Sequence, residues 1–393
     1  MLSARAGAAL ASAALAGLAV TGCTTSSRPA ASLAAAASAS PASPRAAGPA
    51  GLLTSAGGAA PRDFVAVGTL TGPLTGGPSV GLGDAATGSV GGELVAGSYD
   101  GMHADGAAVD RDGNVWVTYS KGPAVTQVGF GPAFPKPDSC GNVVVKWNLG
   151  GAVPRPAVYQ RSADDVLLGQ AVPSPDGQLL AWTERPCGLE FSRLYLRVTA
   201  VSSGKSWTIG QGLPGCHVLT TPAWSADGTH LLEGYAAANQ PYGNGDSSFC
   251  TGPGTERLLR LDAMAPQSAA AGQVTSPDGN CQADSVAGLA GGSALVLEAC
   301  GRSQDYTRDF AALLVVGPDG QPQRTVRLGG CSEAGQLAGD SSGGSVLVTA
   351  TVDCNPTSIH SRITDDLWDY SGGRLRLVAA TPATARSPHQ LAW

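Results

Sequence analysis

The chain has 393 residues, of which 55 are glycine and only 14% are charged, a composition that favours tight turns and short strands over long helices. Its formal net charge is −6, and all 30 acidic residues follow Arg62, so that the chain beyond this point carries a net charge of −10. An acidic chain without a basic stripe is not expected to bind nucleic acid or anionic lipid headgroups.

Residues 1–22 have the layout of a signal peptide. Arg5 is their only charged residue, the run 6–20 is apolar and rich in Ala and Leu, and small residues follow it. The stretch VTGC, which ends in Cys23, resembles the lipobox of bacterial lipoproteins. This resemblance implies that Cys23 is lipidated, becomes the first residue of the mature protein and anchors it to the outer face of the cell membrane. A plain signal peptide with a chance cysteine is the alternative.

Residues 23–61 are predicted to be the lipidated cysteine and a disordered tether. After Cys23 the segment is almost wholly Ala, Ser, Pro, Gly and Thr, with Arg28 and Arg45 as its charges. Such a segment cannot bury enough apolar surface to offset the conformational entropy lost on ordering. The predicted folded domain therefore spans 62–393.

A pattern of apolar strand, tight turn and apolar strand recurs along this domain. Clear copies are VDRDGNVWVT (109–118), VPSPDGQLLAW (172–182) and AWSADGTHLL (223–232), and weaker copies lie at 289–297 and 340–348. The turn glycines are predicted at 113, 177, 228, 292 and 344, in Asp-Gly and Gly-Gly pairs that suit two-residue hairpin turns. Strand units that repeat every 50–64 residues indicate a β-propeller.

Two further strands per repeat give five four-stranded blades between residues 104 and 381. A sixth blade combines the last strand, 388–393, with strands at 63–70, 78–83 and 91–97, so that the two chain ends close the ring and leave no exposed sheet edge. We predict an all-β propeller with six blades; seven is the alternative if 63–103 contains another set of strands.

The copies at 172–182 and 223–232 resemble the Ser-Pro-Asp-Gly repeats of TolB-like, WD40-like propellers. The copy at 109–118 is closer to NHL and gluconolactonase-like propellers. The resemblance implies the propeller fold and is confined to these repeats.

Apart from Cys23 the chain has eight cysteines, an even number that indicates four disulfides in an exported protein: Cys140, Cys187, Cys216, Cys250, Cys281, Cys300, Cys331 and Cys354. The sequence alone allows 105 pairings. The propeller layout places all eight on one face and predicts the pairs Cys216–Cys250, Cys281–Cys300, Cys331–Cys354 and Cys140–Cys187.

Two long loops on the same face, 120–141 and 236–256, are candidate binding loops. They carry the aromatic residues Phe130, Phe134, Tyr242 and Phe249. Long loops in compact domains are often functional. The alternative is that disulfides hold these loops for stability alone.

We assign no catalytic residue, metal ligand or cofactor from the sequence. The stretch GDSSG (339–343) fits the motif of a nucleophile elbow but lies at a repeat turn with no following helix. The Asp110–Asn114 stretch begins like a calcium loop but lacks the glutamate at its twelfth position. His103 lies near Asp100 and Asp105 in the sequence, without a recognisable ligand set. Trp116, Trp182 and Trp224 are predicted to be inter-blade core rather than sugar platforms.

We therefore expect a lipid-anchored, extracytoplasmic propeller that binds a protein or cell-envelope ligand through the disulfide-held loop face. The alternative is a divalent-metal-dependent hydrolase or lyase resembling gluconolactonase-like propellers. It requires acidic side chains that converge on the axis around a divalent metal. Three or more carboxylates or amides that face the central channel would favour it, and an apolar or plugged channel would count against it.

Overall fold

The computed structural model describes the following residues: 53, 61–68, 79–121, 141–151, 153–162, 166–186, 195–209, 220–237, 241–242, 249–250, 255–264, 269–271, 281–300, 310–329, 331–352, 364–382 and 388–393. All of them lie within one compact unit, 46–393. Within the described residues no helix has the length and apolar content needed to cross a bilayer.

The described chain forms 28 strands. The first thirteen strands in chain order are β1 (Asp63–Gly68), β2 (Ser79–Asp84), β3 (Val90–Val95), β4 (Ser98–Tyr99), β5 (Met102–Val109), β6 (Val115–Ser120), β7 (Asn142–Asn148), β8 (Arg155–Arg161), β9 (Val166–Leu168), β10 (Val172–Pro173), β11 (Leu179–Pro186), β12 (Tyr195–Ala200) and β13 (Ser206–Ile209). The remaining strands are β14 (Ala223–Trp224), β15 (His230–Ala237), β16 (Pro241–Tyr242), β17 (Phe249–Cys250), β18 (Thr255–Asp262), β19 (Ala269–Ala271), β20 (Cys281–Gly288), β21 (Ala294–Cys300), β22 (Phe310–Val316), β23 (Pro322–Arg327), β24 (Ser332–Gly339), β25 (Ser345–Val352), β26 (Thr364–Ser371), β27 (Arg374–Pro382) and β28 (Pro388–Ala392).

These strands form six antiparallel sheets, which are the blades of a six-bladed β-propeller. Counted from the axis outward, the blades are β28-β1-β2-β3, β5-β6-β7-β8, β10-β11-β12-β13, β14-β15-β18-β19, β20-β21-β22-β23 and β24-β25-β26-β27. We number them blades 1 to 6 in this order. The short strands β4 and β9 pair at the margins of blades 2 and 3, and β16 and β17 form a separate hairpin. The predicted number of blades is confirmed.

The ring closes where the two ends of the domain meet. Strand β28 pairs antiparallel with β1, with Val65 opposite Ala392 and Ala66 opposite Leu391. Neighbouring inner strands contact each other in the order β28, β5, β10, β14, β20, β24 and back to β28. The predicted closure by strands from both chain ends is therefore confirmed.

Apolar side chains fill the wedges between blades. Trp116 and Trp182 are 2% exposed and share one cluster with Leu180, while Trp224 packs with Leu231 in the next. The prediction that these tryptophans are core residues is confirmed. Leu53, from the segment predicted as tether, is 3% exposed and belongs to the cluster that contains Val65.

The hairpin turns are longer than the predicted two residues. In blade 2 the Asp110 N–H bonds to the Asn114 carbonyl, so that three residues form the loop, and in blade 6 the Asp340 N–H bonds to the Ser345 carbonyl. Only the last part of such a loop needs a left-handed backbone. In blade 6 the residue with the left-handed backbone is Gly343, at φ +69°, rather than the predicted turn glycine Gly344.

Candidate functional site

The two faces of the propeller differ in the length of their connections. The turns between the first and second strands of blades 2 to 6 have five residues each: 110–114, 174–178, 225–229, 289–293 and 340–344. The connections between the second and third strands open on the opposite face and are longer: 69–78, 121–141, 187–194, 238–254, 301–309 and 353–363. We call these the short-turn face and the long-loop face.

The described cysteines lie at the long-loop face. Cys281 begins β20, Cys300 ends β21, and a disulfide joins these two cross-strand neighbours. Cys331 is half-buried and has no disulfide within the described residues; its predicted partner Cys354 lies outside them. Cys23, Cys140, Cys187 and Cys216 also lie outside the described residues, and of Cys250 the structure describes the backbone in β17.

The structure places two of the four candidate binding residues. Tyr242 and Phe249 are directly opposite each other in the β16–β17 hairpin, which projects from the connection between β15 and β18 on the long-loop face. Phe130 and Phe134 lie outside the described residues. The hairpin shows that this connection has regular backbone structure of its own.

A cavity of about 120 Å³ lies on the propeller axis, and every inner strand contributes to its lining. Its polar lining residues include Gln170, Ser285 and Gln336, and Arg111 and Ser341 reach it from the turns of the short-turn face. Because inner strands have no further strand beside them, their backbone groups face this space and need other hydrogen-bond partners.

Side chains at equivalent positions in neighbouring blades supply some of these partners. The Leu391 N–H of β28 donates to Gln336 Oε1 at 3.0 Å, and the Leu337 N–H of β24 donates to Ser285 Oγ at 3.0 Å. Gln170 Nε2 donates to the Ala107 carbonyl of β5. We call these three residues, with Gln390, the axial ring. The side chains of Gln170, Ser285 and Gln336 link neighbouring blades, whereas Gln390 Oε1 is buried without a hydrogen-bond partner among the described residues.

The sequence contained a signal for this ring that the repeat comparison did not use. Gln170 and Gln336 each stand seven residues before a left-handed turn glycine, at Gly177 and Gly343. Gln390 begins the triplet Gln-Leu-Ala, which also occurs at Gln336. A polar residue repeated at one position of the inner strand indicates a shared role at the axis.

The amides of Gln170, Gln336 and Gln390 lie at the axis and meet the count that would favour the metal-dependent alternative. The converging acidic side chains that this alternative requires are not found there within the described residues, where Asp340 is the acidic residue that lines the cavity. Among the described residues, one group of His, Cys, Asp or Glu side chains has converging ligand atoms: Cys281, Glu298 and Cys300. This group lies at the long-loop face, and its two sulfurs form the disulfide.

The turn that begins like a calcium loop is held by its own hydrogen bonds. The Asp110 carboxylate, 4% exposed, accepts from the Asn114 and Trp116 side chains and pairs with Lys146 Nζ at 2.8 Å. Burial raises the pKa of this carboxyl, but the hydrogen bonds from Lys146 and Asn114 outweigh burial, so that the pKa lies below its ordinary value. The carboxylate therefore stabilises the blade.

The other motifs also have structural roles in the described chain. The GDSSG stretch ends β24 and turns into the strand β25 rather than into a helix, so that no nucleophile elbow is formed at Ser341. Asp100 pairs with Arg161 at 3.0 Å, while His103 is exposed. These residues do not assemble a catalytic group.

One buried acid was not anticipated from the sequence. Glu233 on β15 is 1% exposed, and its Oε1 has no hydrogen-bond partner in the part of the chain that the structure describes. Burial raises the pKa of this carboxyl to about 8, so that it is mostly protonated at neutral pH. Nothing in the segment HLLEGYAA predicts this burial, because it depends on tertiary packing.

The fold and the long-loop face define a six-bladed β-propeller with two unequal faces. The sequence matches no protein-family model and no curated protein. Among solved structures the chain is similar to TolB from Acinetobacter baumannii, with a TM-score of 0.50 and 12% identity over 84% of this chain and 66% of that chain. At this identity the similarity shows the fold alone.

Two further propellers are more distant. An oligogalacturonate lyase from Vibrio parahaemolyticus has a TM-score of 0.44 and 10% identity, with 69% of this chain and 68% of that chain covered. The propeller domain of the Trilobed protease from Pyrococcus furiosus has a TM-score of 0.39 and 12% identity, with 70% of this chain and 71% of that chain covered.

Proposed function

We propose that this protein is a lipid-anchored, extracytoplasmic binding protein whose long-loop face holds a protein or cell-envelope ligand. The observation that carries the proposal is the inequality of the two faces. Turns of five residues connect the strands at one face, whereas the connections at the other face are as long as residues 121–141. A rigid scaffold that carries long loops on one side is a common arrangement for recognition.

The disulfide and the hairpin support a binding role for this face. The Cys281–Cys300 bond joins the first two strands of blade 5 at the base of the loops. The β16–β17 hairpin brings the backbones of Tyr242 and Phe249 into register. Loops that are ordered before binding lose less entropy when a ligand binds.

In-cell photocrosslinking tests the binding face. A photoreactive phenylalanine analogue replaces Phe130, Phe134, Tyr242 or Phe249, one at a time, in the native host. Matched controls carry the analogue at Val153 or Met264, which are 69% and 70% exposed between the third and fourth strands on the short-turn face. We expect adducts of the same mass from the long-loop positions and none from the controls. Adducts from the control positions alone would refute the proposed face.

The anchor is tested separately. Mass analysis of the membrane fraction, without reduction, should find a mature chain that begins at acylated Cys23. The Cys23→Ala variant should lose the acyl mass and leave the membrane fraction, while its loop-face crosslinks persist. A soluble wild-type chain cleaved at another residue would refute the anchor and leave the binding face standing.

A further inference from the structure

The blade 5 disulfide has an acidic neighbour that a structural crosslink does not need. Glu298 lies two residues before Cys300 on β21, so that both side chains project from the same side of the sheet. Glu298 is 0% exposed, and its carboxylate oxygen lies within 4.8 Å of both sulfur atoms. Burying a carboxyl group in a protein core is costly, which argues for a chemical role.

Blade 6 shows what the same position holds when no disulfide is present. The pairs Cys281–Cys300 and Ala283–Glu298 of blade 5 correspond to Ser332–Val352 and Ala334–Ala350 of blade 6. Ala350 is 1% exposed and packs in the apolar cluster of its blade. The propeller therefore tolerates a small apolar residue here, and the carboxyl group of blade 5 is not required by the fold.

The two cysteines differ in their exposure to solvent. Cys281 is half-buried, whereas Cys300 is 3% exposed. An external thiolate can therefore approach the Cys281 sulfur, while Cys300 is the buried leaving group. A thiolate released in a buried site is unfavourable unless it gains a proton.

We propose that Cys281–Cys300 is a redox-active disulfide that exchanges with an external dithiol, and that the Glu298 carboxyl group supplies the proton for the leaving Cys300 thiolate. The dithiol's thiolate attacks Cys281 Sγ, forms a mixed disulfide and breaks the bond to Cys300 Sγ, which leaves with the electron pair. Glu298 gives its proton to that sulfur and becomes a carboxylate.

The second thiol of the dithiol completes the exchange. As a thiolate it attacks the dithiol's own sulfur in the mixed disulfide, releases the Cys281 thiolate and leaves as the cyclic oxidised form. Cys281 and Glu298 then take up protons from solvent. The protein disulfide has gained two electrons and two protons, and the dithiol has lost them. In the reverse direction the Glu298 carboxylate accepts the Cys300 proton.

The test uses the full oxidised chain with dithiothreitol as the dithiol. Reactions at pH 5–9 are quenched by alkylation, and peptide mass analysis follows the Cys281 and Cys300 peptides among all other cysteines. We expect dithiothreitol to reduce this pair in the folded wild type. When the rate of reduction is divided by the concentration of dithiothreitol thiolate at each pH, the Glu298→Gln variant should be slower by at least about ten-fold. This normalised rate should depend on pH in the wild type, and the dependence should disappear in the Glu298→Gln variant.

Two further variants separate proton transfer from stability. Glu333→Gln removes an exposed carboxylate near the start of β24 and should leave the rate unchanged. Glu298→Ala places in blade 5 the residue that blade 6 holds and should be as slow as Glu298→Gln. The proposal fails if the pair resists reduction until the chain unfolds, or if both Glu298 variants match the wild type at every pH.

Discussion

Gln336 and Leu391 are joined by a hydrogen bond in which the Leu391 N–H donates to Gln336 Oε1 at 3.0 Å. The bond connects the inner strand of blade 6 to β28, the strand that closes the ring. Ser285 Oγ has the same relation to the Leu337 N–H, one blade earlier. In blades 5 and 6 a side chain of the inner strand thus satisfies a backbone donor of the next inner strand, in a place where no sheet partner exists.

Replacing Gln336 by Ala should weaken ring closure. The Leu391 N–H would lose its acceptor at a largely buried position, which costs about 1–3 kcal/mol. Denaturant unfolding of the purified domain measures the change. Gln178→Ala is the matched control, because Gln178 is exposed on a turn of blade 3. Equal stability of the two variants would show that the link contributes nothing to closure.

A second prediction comes from comparing equivalent turns. Asn114 and Gly344 each donate a backbone N–H to a turn aspartate, but only Asn114 adds a side-chain donor. In blade 6 Asp340 Oδ2 is buried without a hydrogen-bond partner. A side chain at Gly344 would begin 3.7 Å from that oxygen.

Gly344→Asn should therefore stabilise the protein by about 1 kcal/mol, because the new amide reaches an unsatisfied acceptor. The backbone of Gly344 is not left-handed, so that the substitution causes no backbone strain. A Cβ at this position lies 3.1 Å from Ser342 Oγ, so that the Ser342 side chain has to shift by a few tenths of an ångström. Thermal unfolding is the measurement, and Gly344→Ala corrects for the entropy of the unfolded chain. The mechanism is wrong if Asn is no more stable than Ala.

A third prediction concerns pH and Glu233. Its folded pKa of about 8 lies above its ordinary value of 4.5, so that the folded state holds the proton more tightly than the unfolded state. The contribution to stability is complete below pH 4.5 and is lost as the pH rises towards 8, by several kcal/mol in total.

The Glu233→Gln variant has no ionisable group at this position, so that its stability should not decrease in this way as the pH rises. We expect its advantage over the wild type in melting temperature to grow between pH 5 and pH 8.5. Glu184→Gln is the control, since the Glu184 carboxylate pairs with Arg197 at 2.8 Å. Parallel pH profiles for wild type and Glu233→Gln would contradict the prediction.

The propeller could be predicted because its signals are local and repeated. Each copy of the repeat pairs two strands that adjoin in sequence, and a left-handed glycine follows at a fixed position, as at Gly177 and Gly228. The role of Gln336 could not be predicted in the same way. Its partner Leu391 comes 55 residues later and is adjacent only after the ring closes. Glu233 was missed because its burial depends on tertiary packing, which the local pattern does not show.

The sequence by itself determined the blade repeat, the closing strand and the face on which the described cysteines lie. These follow from strand order, since alternate connections of an antiparallel blade must open on opposite faces. Only the tertiary structure decided that Gln170 and Gln336 bond from blade to blade, that Glu233 is buried with its Oε1 unpaired among the described residues, and that Glu298 is buried. Packing between blades sets these environments, and residues distant in sequence meet there.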